Sequence, residues 1–481
     1  MRASWIHALL MTYTCLLGCR PAKYASLAPG SSAADTADTA DTAAPDLEFD
    51  GFSVLATWDG SDALQFDWPE VPDARYTFQL EHEGTVVEAR EDMTDLTVTI
   101  SGLADGEYTA TVEPINPADE PITRASVAQL VGDNRLVYRS ELPLRRAMDV
   151  WGSGDIAVIG GGTNDDISAL VVDVTDANNP EIIHTLRDIG YVRDIKVWDN
   201  LLFTAVDPDA DGCTLCDDIG VRIYDFSDPS QPTLLSTIDS PASWVHNMSY
   251  SDGYLYLAST MEEVVAIVDV RDPTNPTRVA AWYPEPSGAR YLHGGPGGSH
   301  DMMAQGDRLY VAHFSGFSVV DISDPTRPAE LASVRVDMGM HNVWPNQDGT
   351  LLVGSQEILD GPLTLWDISD LSSIQQLDSL STAPDRCVHN GYFDGDTVFA
   401  AWYIDGIYSF EIADGRFVQT GHHDTFPVDY PPPPEDVEPL PPIEGAWGLW
   451  SFGEHLIVGD TERGMMIFDH FPDTIMGRPG D

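Results

Sequence analysis

Four short phrases place a histidine before an amide or an acid at the start of an apolar run: Val245-His246-Asn247, Ser299-His300-Asp301, Met340-His341-Asn342 and Val388-His389-Asn390. The chain has only 13 histidines, so four in one context are a pattern and not a by-product of composition. Neutral imidazole is a ligand for zinc, copper and iron, and rings that converge can share such an ion, with His313, Cys387 or a nearby acid completing the sphere. Four ligands on four strands cannot all reach one tetrahedral ion, so three should converge, with His300 and His341 central. A structural role is the alternative. Each ring would then bond to a neighbouring sheet, and the following Asn or Asp would staple a loop.

The elements that must position these residues are written in a repeat. Asp225-Phe226-Ser227-Asp228-Pro229 runs to Pro232, Asp269-Val270-Arg271-Asp272-Pro273 to Pro276, and Asp321-Ile322-Ser323-Asp324-Pro325 to Pro328. Asp173 to Pro180 and Asp367-Ile368-Ser369-Asp370 are weaker copies, and Glu411 and Asp469 mark two more units. Proline cannot donate to a ladder and Asp or Ser caps a turn, so each phrase ends a strand. Two apolar runs precede each anchor and one follows it, which makes a unit a four-stranded meander. Seven such units spaced 44 to 58 residues apart predict a β-propeller. Aligned back from the anchors, the inner strands begin Ala147-Met148-Asp149, Val192-Arg193-Asp194, the four histidine phrases, and Ala446-Trp447-Gly448. Equivalent positions on inner strands lie near one mouth of the central channel. Leu136-Val137-Tyr138 should pair with the unit built by Leu456 to Phe468, supplying its missing strand and removing two open edges.

From about Arg135 onward the chain resembles the LVIVD-repeat family of secreted bacterial propeller proteins, on the strength of the Asp-(Val/Ile)-Ser-Asp-Pro-x-x-Pro phrases. Its end, Gly445-Ala446-Trp447-Gly448-Leu449 and then Gly459-Asp460-Thr461-Glu462-Arg463-Gly464, looks like the terminal blade of the choice-of-anchor B subgroup, which is defined by architecture and not by a reaction. Upstream, Leu64-Gln65-Phe66-Asp67-Trp68-Pro69 and the passage from Thr97 to Leu103 into Asp105 to Val112 resemble a fibronectin type III domain, with Leu103 and Tyr108 at its corner. The expected fold is therefore all-β: a seven-bladed propeller over 132–481 preceded by a fibronectin type III-like β-sandwich over 47–131.

The N-terminus reads as a secretory signal over 1–18, with Arg2 before an apolar stretch too short to span a membrane. It closes on Leu16-Leu17-Gly18-Cys19, which resembles the lipobox of bacterial lipoproteins, so Cys19 is the expected lipid attachment. Arg20 in place of an Asp implies, by the same resemblance, the outer membrane or cell surface. Residues 19–46 carry Asp-Thr-Ala three times from Asp35 and read as a low-complexity tether.

Two further features concern ions and thiols. Asp207, Asp209 and Asp211 with Gly212 and Asp218 at the twelfth position match the spacing of a calcium loop, although Asp218 stands where a Glu normally chelates with both oxygens. A solvated acidic hairpin fits the same residues. Cys213 and Cys216 within it read as a local disulfide in an exported protein, and Cys387 as a free buried thiol. Residues 424–444 are proline-rich and should form a surface strap, which could bring His422 and His423 to the arc.

The net charge of −54, with 78 acidic against 24 basic side chains, excludes nucleic acid and anionic lipid headgroups as partners. No Ser/His/Asp order, phosphate loop or His-Glu-x-x-His motif is present. The expectation is a surface-anchored binding or interaction module for a protein or small-molecule ligand, touching the membrane through lipid alone, with a divalent-metal site at the channel mouth. The alternative is a metal-dependent extracytoplasmic enzyme, similar to the selenium-binding, methanethiol-oxidising propellers that use channel histidines around copper.

Overall fold

Each Asp-apolar-x-Asp phrase folds through its own side chains. Asp225 Oδ1 accepts the Ser227 amide at 2.9 Å, and Asp228 Oδ1 accepts both the amide and the hydroxyl of Ser230 at 3.1 and 2.7 Å. The same pair of turns recurs at Asp321 and Asp324, and at Asp367 and Asp370. Between the two acids the apolar residue is a peg: Phe226, Val270, Ile322 and Ile368 are 4, 2, 4 and 0 % exposed. Its amide bonds back to the preceding hairpin, at 2.8 Å for Phe226 to Asn200 O and 2.9 Å for Ile322 to Asp307 O. The phrase thus ends a strand, buries one side chain and fixes the direction of the next strand.

The computed structural model describes residues 54–470 apart from 59–62, 83, 133, 145, 162–166, 188, 208–219, 239–244, 260–263, 285–297, 338, 383–385 and 427–443. The described residues are all-β, and none of them forms a helix long and apolar enough to cross a membrane. Six antiparallel four-stranded sheets stand as separate blades. Their inner strands are Ala147–Ser153, Tyr191–Trp198, Val245–Ser251, Ser299–Gln305, Asn342–Pro345 and Ala446–Phe452. The last of these is completed from the far end of the chain: Leu136–Leu142 pairs with Gly464–His470, Ser140 opposite Ile467 and Tyr138 opposite Phe468. Ion pairs from Arg139 to Asp469 and from Arg463 to Glu141 reinforce that seam. The cores lie between neighbouring sheets, as where Val150 and Ala157 pack against Ile457 and Ile467.

The expected seven-bladed propeller beside an independent sandwich is corrected by the structure: the described residues form an all-β propeller with six free-standing four-stranded blades. The other unit, Gly391–Asp394, Thr397–Ala401, Ile407–Ala413 and Arg416–His423, lies inside an eight-stranded sheet that continues through Ala125–Val131, Gly106–Ile115 and Arg75–His82 to Thr85–Met93. The join is the pairing of His423 with Gln129. A three-stranded sheet, Leu55–Trp58, Ala63–Asp67 and Thr97–Ser101, packs on the N-terminal half through Trp58, Phe66, Phe78 and Tyr108. The N-terminal strands therefore do not stand as a separate fibronectin type III module. Counting anchors gives the number of repeats and not how their edges are used: here the outer edge of Arg416–His423 is covered by another strand of the same chain.

Candidate metal centre at the channel mouth

The side chains of the mouth are aimed by a recurring irregularity. Pairing between the first two strands of a unit slips at Val192/Asp194, Val245/Asn247, Ser299/Met302 and Ala446/Gly448, so Arg193, His246, His300 and Trp447 sit on β-bulges. A bulge breaks the simple alternation of faces and turns one side chain out of the ladder. His341 and His389 occupy the same point just before their strands, held by their amides on Ser355 O and Ala401 O at 2.8 Å each.

The four imidazoles form one continuous arc. Ring centroids are 4.3 Å apart for His246 and His300, 4.0 Å for His300 and His341, and 4.6 Å for His341 and His389. Within the arc the rings differ in what they bond. His389 Nδ1 donates to Trp447 O at 2.8 Å, a bond to the adjoining sheet, so this ring is a staple. His341 Nδ1 and Nε2 and His300 Nδ1 are buried without a hydrogen-bond partner among the described residues. Burial, and then the neighbouring imidazoles, hold His300 and His341 well below the usual histidine range, for His341 against an opposing contact with the His389 backbone that is too poorly aligned to count as a hydrogen bond; burial pushes His389 down to about 3. All three rings are neutral at pH 7, the form that coordinates a metal.

A carboxylate closes the group. Glu357 follows the strand Leu351–Ser355, and its side chain is 8 % exposed. Its Oε2 lies 3.2 Å from His341 Nε2, an ion-pair distance without hydrogen-bond alignment, and Oε1 accepts the Tyr403 hydroxyl. Ligand atoms of His300, His341 and Glu357 all lie within 4.8 Å of one another. Burial raises the Glu357 carboxyl to about 7 despite the Tyr403 bond. Neighbouring Gln356 anchors the turn by donating to Asp337 O and Gly339 O at 2.8 and 2.9 Å. Orphaned imidazole nitrogens facing a buried carboxylate make a donor set that fits a divalent transition metal.

Below the arc, three of the residues that follow mouth positions staple neighbouring inner strands. Asp149 Oδ2 accepts the Ile195 amide at 3.0 Å, Asp194 Oδ2 the Met248 amide at 2.7 Å, and Asn342 Oδ1 the Gly391 amide at 3.1 Å, each reaching the next inner strand. Lys196, buried among them, bonds Asp149 at 2.5 Å and also Asp194. Asp149, Lys196 and Asn342 of this tier and an aromatic one of Trp151, Trp198, Trp344, Tyr392 and Trp450 line a channel cavity with about 490 Å³ of space free of protein atoms, part of it open to solvent.

Other expected residues fall elsewhere. His313 is satisfied within its own hairpin, Nε2 by Ser318 Oγ at 3.1 Å and Nδ1 by Ser315 Oγ at 3.0 Å, and it takes no part in the cluster. Cys387 is buried against Met148, Tyr191, Tyr403 and Trp447. His422 and His423 are in the seam with the N-terminal strands, where His422 Nδ1 meets Glu107 Oε2 at 2.9 Å and His423 stacks on Tyr138. Cys19, the calcium-loop residues Asp209, Asp211 and Asp218 with the side chain of Asp207, the pair Cys213 and Cys216, and most of the proline-rich strap lie outside the described residues. Glu357 is the member that sequence reasoning missed. It is one acid among 78, in a hairpin loop with no motif around it.

The profile of the LVIVD repeat matches residues 245–281 and 296–336. The chain carries LVIVD repeats. Both matched stretches belong to units that present a histidine of the arc, His246 and His300. No curated protein matches the sequence. Among solved structures, the periplasmic gluconolactonase PpgL of Pseudomonas aeruginosa is similar at 16 % identity, with a TM-score of 0.52 over 68 % of this chain and 93 % of that chain. The other comparison chain, the computationally designed Ika8 protein, aligns over 77 % of this chain at 13 % identity with a TM-score of 0.44. At these identities the likeness to PpgL is one of propeller fold.

Proposed function

We propose that this LVIVD-repeat propeller is a lipid-anchored, extracytoplasmic binding module, tethered at Cys19 to the outer membrane or cell surface, whose channel mouth holds a divalent transition metal on His300, His341 and Glu357. The observation that carries the reading is the set of orphaned nitrogens on two buried, neutral imidazoles beside a buried carboxylate. Two imidazoles and one carboxylate suit zinc or iron(II) and leave coordination positions for an outside ligand, whereas structural sites are usually closed by four protein ligands. A protein or small molecule bound at the mouth would be recognised there. The open positions also favour a second reading, a metal-dependent extracytoplasmic enzyme of oxidase type; copper or iron would then be its working ion, since zinc has no redox chemistry.

Metal analysis of the purified full-length protein is the test. The expected result is about one equivalent of zinc, iron or copper, lost on changing His300 and His341 together to Ala with the fold retained by circular dichroism. Metal-free protein that takes up no added Zn²⁺ or Co²⁺ removes both readings of the site. Turnover that is lost with the metal would select the enzyme.

A further inference from the structure

Tyr403 is held in a backbone conformation that a bulky residue rarely adopts. Its φ is 48°, and the other described non-glycine residues with positive φ are Asp, Asn and one Arg, which are polar turn residues. A residue of this kind in the left-handed region persists only where its surroundings over-determine it, and such positions cluster at functional sites. The surroundings here are specific. Tyr403 N donates to Ala446 O at 3.2 Å and Ala446 N returns the bond to Tyr403 O at 3.1 Å, while Gly406 N also donates to Tyr403 O at 2.9 Å. Gly445 makes the approach feasible: a Cβ there would meet Tyr403 O at 2.5 Å. The ring, 0 % exposed, is packed between His389 and Trp447 with centroids 5.0 and 5.4 Å away.

This arrangement delivers the phenol hydroxyl to Glu357 Oε1 and leaves Oε2 facing His341. We propose that Tyr403 is a positioning residue that fixes the Glu357 carboxylate for the metal, an inference that rests on the metal-site reading above. A carboxylate at the end of a free side chain has several rotamers and two equivalent oxygens. Tethering one oxygen selects a rotamer and reserves the other for the ion, which is the usual work of a group bonded behind a ligand.

The test is a double-substitution cycle read by Co²⁺ titration of the metal-stripped full-length protein, following the visible absorption of the bound ion. Tyr403→Phe keeps the ring and removes only the hydroxyl. It is expected to weaken Co²⁺ binding about 10- to 100-fold and to change the absorption band, with the fold of the metal-free protein retained by circular dichroism. In a Glu357→Gln background the same substitution should add no further loss, because its effect passes through the carboxylate. Equal losses in both backgrounds, or wild-type affinity in Tyr403→Phe, overturn the role given to Tyr403. Wild-type protein that binds no Co²⁺ overturns the metal reading itself, and is distinguished by failing before any Tyr403 variant is compared.

Discussion

At the scale of single residues, chemically alike histidines divide their work by what their nitrogens touch. His389 is 3 % exposed and spends one nitrogen on Trp447 O, so its loss should be felt in stability and not in metal content. His389→Gln is expected to cost about 1 to 3 kcal/mol in denaturant unfolding while keeping the metal, because a buried acceptor loses its donor. Loss of the ion together with the stability would make His389 a ligand. The pH dependence has a definite sign. The folded-state value is depressed to about 3, so the stabilisation is fully present above the unfolded value of about 6.5 and is lost as pH falls from there toward 3. Stability of the wild type should decline over that range more steeply than that of His389→Gln.

At the scale of elements, the seam between Arg416–His423 and Ala125–Val131 is narrow in backbone pairing and depends on side chains. Asn134 Nδ2 donates to His422 O at 3.0 Å, Ala128 N donates to Asp424 Oδ2 at 3.1 Å, and His422 pairs with Glu107 while its Nε2 bonds Asp405 O at 3.0 Å. Burial pulls His422 down, but Glu107 and Asp405 more than offset it and its pKa is raised; the bond to His422 lowers Glu107 against its own burial. Burial lifts Asp424 to about 7. The His422 contribution is present below about pH 6.5 and lost as pH rises through its higher folded value, and charging buried Asp424 acts in the same direction. The Glu107 contribution runs the other way, present above about 4.5 and lost on acidification. Thermal midpoints measured at pH 6 and pH 8.5 should therefore differ. Glu107→Gln is expected to lower the midpoint at pH 6 more than at pH 8.5, and an equal drop at both would show that the pair adds nothing.

At the scale of the whole molecule, the net charge of −54 opposes contact with anionic lipid headgroups. Membrane association by a covalent lipid on a polar tether is consistent with that charge, since the chain need not touch the surface itself. Labelled palmitate should enter the wild type and not Cys19→Ser when both are expressed in a bacterial host. Equal incorporation would defeat the lipobox reading.

The sequence alone determined the strand-ending phrase, the four-stranded unit, the in-register histidines and the pairing of Leu136–Leu142 with the last unit, because each depends on local chemistry or on an edge that must be covered. Tertiary structure decided the rest. Edge use is a long-range property, so the anchors at Asp367 and Glu411 look alike, yet the unit ending with Arg416–His423 runs on into the N-terminal strands and leaves six free-standing blades. Cys387 has the residue type of a further ligand, while the structure shows it in a sulfur and aromatic cluster and the arc aimed by bulges, which no period of two anticipates. His313 had the right residue type, but two serines of its own hairpin claim both its nitrogens. Glu357 carried no signal in the chain at all; it joins His300 and His341 because a strained tyrosine from another sheet reaches its carboxylate, a contact between residues 46 apart in sequence that only packing could bring about.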